Sequence, residues 1–239
     1  MDMAAMMAGA LLLLMLVLMA AAPLGFRLGL WSATTALTKL VAGGLAAGLL
    51  AALAAIVALA MGGARLGSGE RVLLALIIVI GASAVVLPLR AKRIAAAAPI
   101  RDITSDPDDP PDFVAVRAAR ERDGAGIAYE GARLAAIQRL RYGDIGPWYL
   151  AMPLELAFAK ALAAANDMGW TIVAADAAEA RIEASDRTRF FGFVDDVVIR
   201  LRPEAGGSRI DIRSASRVGI SDLGKNARRI RAYFAALKA

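Results

Sequence analysis

The 239-residue chain contains no cysteine and no histidine. Without cysteine it can form no disulfide and offers no thiolate to a metal or a substrate. Without histidine it lacks the commonest metal ligand and the side chain that titrates nearest neutral pH. Any chemistry would rest on carboxylates, hydroxyls, Lys or Arg. Aromatic residues are sparse at 6%, and charged residues make up 21% against 59% hydrophobic. With a mean hydropathy of +0.57, the chain is more apolar than soluble globular proteins usually are, so membrane segments are the first expectation.

A formal charge of +6 would suit a nucleic-acid partner until the charges are located. Residues 1–93 carry seven of the 28 basic residues (Arg27, Lys39, Arg65, Arg71, Arg90, Lys92, Arg93) and two of the 22 acidic ones, Asp2 and Glu70. That stretch is +5 and the rest of the chain only +1. The basic excess flanks the apolar runs, and no nucleic-acid partner is expected.

Three uncharged runs predict transmembrane helices at about residues 3–22, 40–64 and 72–89, each of roughly the length that a hydrocarbon core demands. The first has no basic n-region, so a retained helix is expected rather than a cleaved signal. Gly44 and Gly48 in the second form a small-xxx-small step suited to close packing, within the chain or between copies. Trp31 and Arg27 lie where interfacial anchors belong. With three spans, Arg27, Lys39, Arg90, Lys92 and Arg93 fall on one side and Arg65 and Arg71 on the other. By charge alone the C-terminal region would be cytoplasmic.

Residues 94–113, with "PIRDITSDPDDPPDF", are expected to form a Pro/Asp-rich linker. Residues 114–239 are expected to form an α+β domain, a small antiparallel sheet packed against helices. "PLELAFAKALAAANDMG" predicts an amphipathic helix with Phe158, Leu162, Ala165 and Met168 inward and Gly169 ending it. Alternation predicts three strands with core faces Ile182 and Ala184, then Val197, Ile199 and Leu201, then Ile210 and Ile212. A last helix should bury Leu223, Ala227, Ile230, Phe234 and Leu237, with Ser221 as its N-cap.

The opposite strand face carries Arg181, Arg187, Arg200, Arg202, Arg209, Arg213 and Arg217 with Glu183, Asp196 and Asp211. It is either a solvated, ion-paired face or an anion-binding surface, since Arg suits bidentate phosphate contacts. The candidate anion or partner site is Arg181, Arg200, Arg202, Arg213, Arg217, Ser221, Lys225 and Asn226. Phe190, Phe191 and Phe193 are candidates for lipid or partner contact. The catalytic alternative uses Glu183, Asp186, Asp195 and Asp196. Adjacent residues of a strand point to opposite faces, so Asp195 and Asp196 should diverge. No catalytic residue, metal ligand or cofactor site is assigned.

The blocks "PIRDITSDPDDPPDF", "YGDI", "MGWTIV", "RIEASDRTRFFGFVDDVVIRLR" and "GSRIDIRSASRVGISDLGKNARRI" resemble the bacterial and chloroplast proteins grouped as domain of unknown function family 1499, in its membrane-anchored branch. The resemblance spans most of residues 99–239 and implies no established activity. Other members look like lipoproteins or lumenal proteins, which implies a periplasmic domain on a bacterial inner-membrane protein, against the charge bias. The expected function is a non-catalytic binding or accessory module. Its partners are the lipid bilayer together with an anionic lipid, an envelope component or a membrane-protein complex. A structural subunit of a larger membrane complex is the alternative, and a carboxylate-dependent hydrolase or transferase ranks third.

Overall fold

The computed structural model describes residues 3–62, 65–97 and 99–238. Residues 63 and 64, expected at the end of the second span, residue 98 of the linker and residue 239 lie outside them. The chain divides into two compact units, residues 1–93 with 189–192, and residues 94–188 with 193–239.

In the first unit α1 is Met3–Arg27, and α2 (Ala33–Thr35), a π-helical stretch (Ala36–Val41) and α3 (Ala42–Gly62) run on as one 30-residue span, followed by α4, Ser68–Ala97. These three helices are long and apolar enough to cross a membrane. α1 and α4 outrun the apolar stretches that announced them, because helical hydrogen bonding continues through flanking residues that hydropathy discounts. Pro88 lies inside α4. Large side chains such as Leu13, Leu53 and Val79 face outward, while Ala8, Ala51, Ala55 and Ala58 are buried. The Gly44 and Gly48 step packs within the chain: a Cβ on Gly48 would lie 2.5 Å from the Met15 sulfur, and one on Gly81 would lie 2.2 Å from the Gly48 carbonyl oxygen. Only glycine permits that backbone approach between α3 and α4. Trp31 donates its indole N–H to the Ala22 carbonyl at 3.0 Å.

The second unit is built on six strands: β1 (Asp102–Thr104), β2 (Trp148–Leu150), β3 (Thr171–Asp176), β4 (Arg181–Arg187), β5 (Val194–Glu204) and β6 (Gly207–Ser216). The sheet order is β1-β6-β5-β4-β3, with β2 also on β6, and all pairs are antiparallel. The expected class, three apolar N-terminal helices followed by an α+β domain with an antiparallel sheet, is what the chain adopts. Alternation revealed β4, β5 and β6 because they are long. It could not reveal β1 and β2, three residues each, or β3, whose register shifts between Ile172 and Ala174.

On one face of the sheet the predicted strand residues Ile182, Ala184, Val197, Ile199, Leu201, Ile210 and Ile212 pack with α7 (Leu154–Asp167) and α8 (Lys225–Ala236). Ala157, Ala161, Ala164 and Ala165 are the buried stripe of α7, with Phe158, Leu162 and Met168 partly buried beside them. Gly169 ends that helix region at φ +72°, where a side chain would be strained. Tyr233 stacks on Trp170 at 5.3 Å and donates to the Ala161 carbonyl at 2.9 Å.

Two expectations about α8 fail. Leu223 is 41% exposed and stands before the helix, not in its buried stripe. Ser221 is not the cap: Asp222 accepts hydrogen bonds from the N–H groups of Gly224 and Asn226. Left-handed residues at Leu223 (φ +54°) and Gly224 (φ +76°) delay the helix to Lys225, which puts the aspartate, not the serine, within reach of the first turn.

The other face is covered as well. Residues 105–130, including the short helix α5 (Arg117–Arg122), lie over it, with Phe113, Val116 and Ile127 packed on Val198 and Ala215. The stretch read as a linker thus supplies a strand through Asp102–Thr104 and a strap across the sheet. A further helix, α6 (Ala132–Tyr142), follows the strap. Gln138 on α6 holds β1, its amide accepting from Thr104 N–H at 3.0 Å and donating to Thr104 O at 2.6 Å.

Candidate functional site

The charged sheet face is largely ion-paired and covered by the strap, with Arg187 left exposed. Arg202 stands directly opposite Arg209 across β5 and β6, and Arg200 opposite Arg181 across β4 and β5. Such like pairs repel unless anions intervene. Asp211 and the strap residues Asp106 and Asp109 intervene: Arg202 reaches Asp109 and Asp211 at 2.6 Å each, Arg209 reaches Asp106 at 2.5 Å and Asp211 at 2.9 Å, and Arg200 reaches Asp211 at 3.1 Å. Burial raises the Asp109 carboxyl pKa, but its hydrogen bond to Arg202 and the charge of Arg200 outweigh that and hold it below the usual range.

Deeper in the same face, Arg213 is fully buried. It makes a two-pronged pair with Asp102 at 2.9 and 2.7 Å, donates to the carbonyls of Pro111 and Ile127, and lies against the rings of Phe113 (4.6 Å) and Tyr129 (5.6 Å). Burial and then Asp102 push the Tyr129 hydroxyl up to about 12. Asp196 is gripped by Arg217 at 2.8 and 2.7 Å, by Arg120 of the strap at 2.8 Å and by Ser185 at 2.7 Å. The Asp196 hydrogen bonds raise the Arg217 guanidinium. Glu183 accepts the N–H groups of Val114, Ala115 and Val116 at 2.9 to 3.0 Å.

Asp195 and Asp196 diverge as strand geometry requires. Asp195 points to the helix face, where Lys225 (2.9 Å) and Arg229 (2.6 Å) hold it. Its cross-strand partner is Asp186, which Arg229 also holds, at 2.5 Å, with Lys225 at 3.4 Å. The structure therefore assembles a carboxylate pair that the sequence could not reveal, from two strands rather than from adjacent residues. Burial raises Asp195, but Arg229, Ser216 and Lys225 more than offset it and keep its carboxyl below the ordinary range. Both carboxylates are thus committed to the same two cations, Lys225 and Arg229. Among the described residues, no group of three or more acidic side chains is placed to hold a metal ion.

The eight candidate anion-site residues do not converge. Arg181, Arg200, Arg202, Arg213 and Arg217 belong to the strap face. Lys225 and Asn226 belong to α8 on the other face, where the buried Asn226 amide donates to Arg101 O and Ser216 Oγ and accepts from Ser214 Oγ. Ser221 lies in the preceding loop, its hydroxyl accepting from Leu223 N–H at 3.3 Å. Phe190 is 63% exposed, with its ring edge-on to Phe191 at 5.3 Å, and Phe193 is half-buried.

Two concavities of the second unit bear on these residues. One, of ≈ 300 Å³, lies beside the Asp186 cluster and is lined by Met168, Trp170, Lys225, Arg228, Arg229 and Ala232. The other, of ≈ 250 Å³, lies at the β1 end of the sheet between the residues that follow α4, the end of the strap, α6 and the loop after β6. Its lining includes Pro99, Ile100, Arg101, Gly126, Ala128, Glu130, Leu134, Ser216, Gly219 and Ile220. Sequence reasoning missed this cleft because its lining comes from four separate segments, none with a motif.

A family model described as Protein of unknown function (DUF1499) matches residues 102–237. No curated protein matches the chain.

Proposed function

The chain belongs to that family of proteins of unknown function, and from this premise we propose that it is a membrane-anchored member whose α+β domain is a non-catalytic binding module. It would recognise a lipid, an envelope component or a membrane-protein partner. The observation that carries this is the cleft at the β1 end: Pro99, one of its lining residues, follows the last residue of α4 by two positions. The chain can span at most about 3.6 Å per residue, so a cleft begun there is tethered near the end of an apolar helix. Its walls are fixed by the ion pairs of Asp102 and Asp196, and rigid supports of this kind favour recognition without remodelling.

The module sits on a bacterial inner membrane with the domain on the periplasmic side, as its likeness to lipoprotein and lumenal members supports. Arg90, Lys92 and Arg93 then act as interfacial contacts rather than as a cytoplasmic signal. Topology is checked with an Ala205→Cys chain, otherwise free of cysteine, in the exposed β5–β6 turn. Labelling by an impermeant reagent in intact cells is expected, and labelling only after permeabilisation would reverse the orientation.

The function is tested by native mass spectrometry of the full chain from mild detergent. A retained lipid or envelope component is the expected result, and a stoichiometric protein complex would favour the structural-subunit alternative. A bare chain that shows a turnover lost in both Asp186→Asn and Asp195→Asn would overturn the proposal in favour of an enzyme.

A further inference from the structure

The charges inside the β1-end cleft differ from those around it. Asp102 and Arg120 border it, but each is committed, Asp102 to Arg213 and Arg120 to Asp196 and the Gly126 carbonyl. Arg101 and Glu130 also line it, and neither has an ion-pair partner among the described residues. Arg101 is half-buried and makes one long contact, 3.3 Å to the Arg217 carbonyl. Opposite charges that share one cleft without bridging leave room for a ligand with both signs.

The cleft also has aliphatic lining residues. Ile100 and Leu134 are buried, whereas Ile220 at its edge is 82% exposed. Ile220 rides on a loop with positive φ at Gly219 (+90°), Leu223 (+54°) and Gly224 (+76°). Left-handed backbone at a leucine is costly and persists where the surroundings impose it. Here Asp222 imposes it, its N–H donating to the Ile100 carbonyl at 3.3 Å while its carboxylate caps α8. The loop thus holds a large aliphatic side chain out in water beside two unpaired charges.

We infer that this cleft binds a zwitterionic lipid headgroup of the phosphoethanolamine type, with the phosphate at Arg101, the ammonium at Glu130 and the start of an acyl chain against Ile220. The inference rests on the binding-module proposal above and names its ligand class. Arg supplies charge-assisted hydrogen bonds to phosphate oxygens, and a carboxylate complements an ammonium. An acyl chain would cover the apolar area that Ile220 leaves to solvent.

The test uses the full chain in amphipol with Ala128→Cys, a lining position, carrying an environment-sensitive fluorophore. Titration with dihexanoyl phosphatidylethanolamine should give a saturable blue shift. Arg101→Gln and Glu130→Gln should each weaken half-saturation by about tenfold, as expected for losing one charged hydrogen bond. Dihexanoyl phosphatidylglycerol, which lacks the ammonium, should bind the parent more weakly, and Glu130→Gln should abolish that preference. Arg101→Lys and Glu130→Asp should retain part of the binding, which separates recognition from fold damage. No saturable shift, or a shift indifferent to both Gln substitutions, overturns the inference. Equal binding of glycerophosphoethanolamine, which has no acyl chains, would overturn the lipid as occupant in favour of a free headgroup. If the Arg101→Gln, Glu130→Gln double variant still co-purified with its lipid or partner, the assignment of a phosphoethanolamine headgroup to Arg101 and Glu130 would fall while the binding-module proposal stood.

Discussion

The two faces of the central sheet are both covered, yet by opposite means. The helix face is aliphatic over most of its area, with Ile199 and Ile212 fully buried against α7 and α8. The strap face buries Arg213, Asp196, Asp211 and Glu183 almost completely, each paired or hydrogen-bonded. Burial of apolar area drives association on the first face without regard to direction. On the second, desolvation of the charges consumes most of what their attraction returns. The strap face therefore contributes less to net stability than its number of contacts suggests, while tolerating few alternative arrangements of the strap.

That comparison can be broken one charge at a time. Asp102→Ala would strand the buried Arg213 guanidinium and should destabilise the domain by about 3–5 kcal/mol. Hydrogen exchange of the β5 and β6 amides in the full chain measures it. The double substitution Asp102→Leu, Arg213→Met should recover most of the loss, because no unpaired charge remains. A double variant as unstable as the single one would mean that the pair itself stabilises the fold. On the helix face, Ile199→Ala should cost about 2–4 kcal/mol by the same measurement, through lost burial and a residual cavity. No compensating partner should rescue it.

Acid should act through the lowered carboxylates. Asp195 and Asp109 have folded pKa values below the ordinary carboxylate value of 3.8. Their contribution is present above that value and is lost as pH falls through the lowered folded values. Asp222, raised by burial, works in the opposite sense, its contribution lost as pH rises through its folded pKa. Unfolding of the full chain followed by circular dichroism should show stability falling below about pH 4, with a shallower fall in Asp195→Asn. An unchanged slope would remove Asp195 as a contributor. The smallest effect is expected where solvent screens both partners: Arg231→Ala, which breaks the exposed pair with Asp144 at 2.6 Å, should cost about 1 kcal/mol or less in the same exchange experiment.

Periodicity of 2 in β4, β5 and β6 was enough to sort Ile182, Val197, Ile199 and Ile212 to one side and Arg200, Arg202, Arg209 and Arg213 to the other. It also sent Asp195 and Asp196 to opposite faces. What it could not say is what lies above a face. The arginines read as exposed because their partners Asp102, Asp106, Asp109 and Asp123 sit some 90 to 110 residues earlier in the chain, most of them in a stretch whose prolines signal only an absence of helix. Nor could it join Asp186 to Asp195, which depends on the β4–β5 register, or bring Arg101 and Glu130 to one cleft.

The sequence by itself determined the three apolar spans, the alternating strands and the final helix, because each is a local pattern repeated at the period of its own backbone. Tertiary structure alone decided that the Pro/Asp stretch crosses the sheet as a strap, that the arginine face is largely ion-paired, and that Arg101 and Glu130 at the β1 end have no ion-pair partner among the described residues. Those outcomes depend on which distant segment wins the contact, and electrostatic pairing carries no period along the chain from which it could be read.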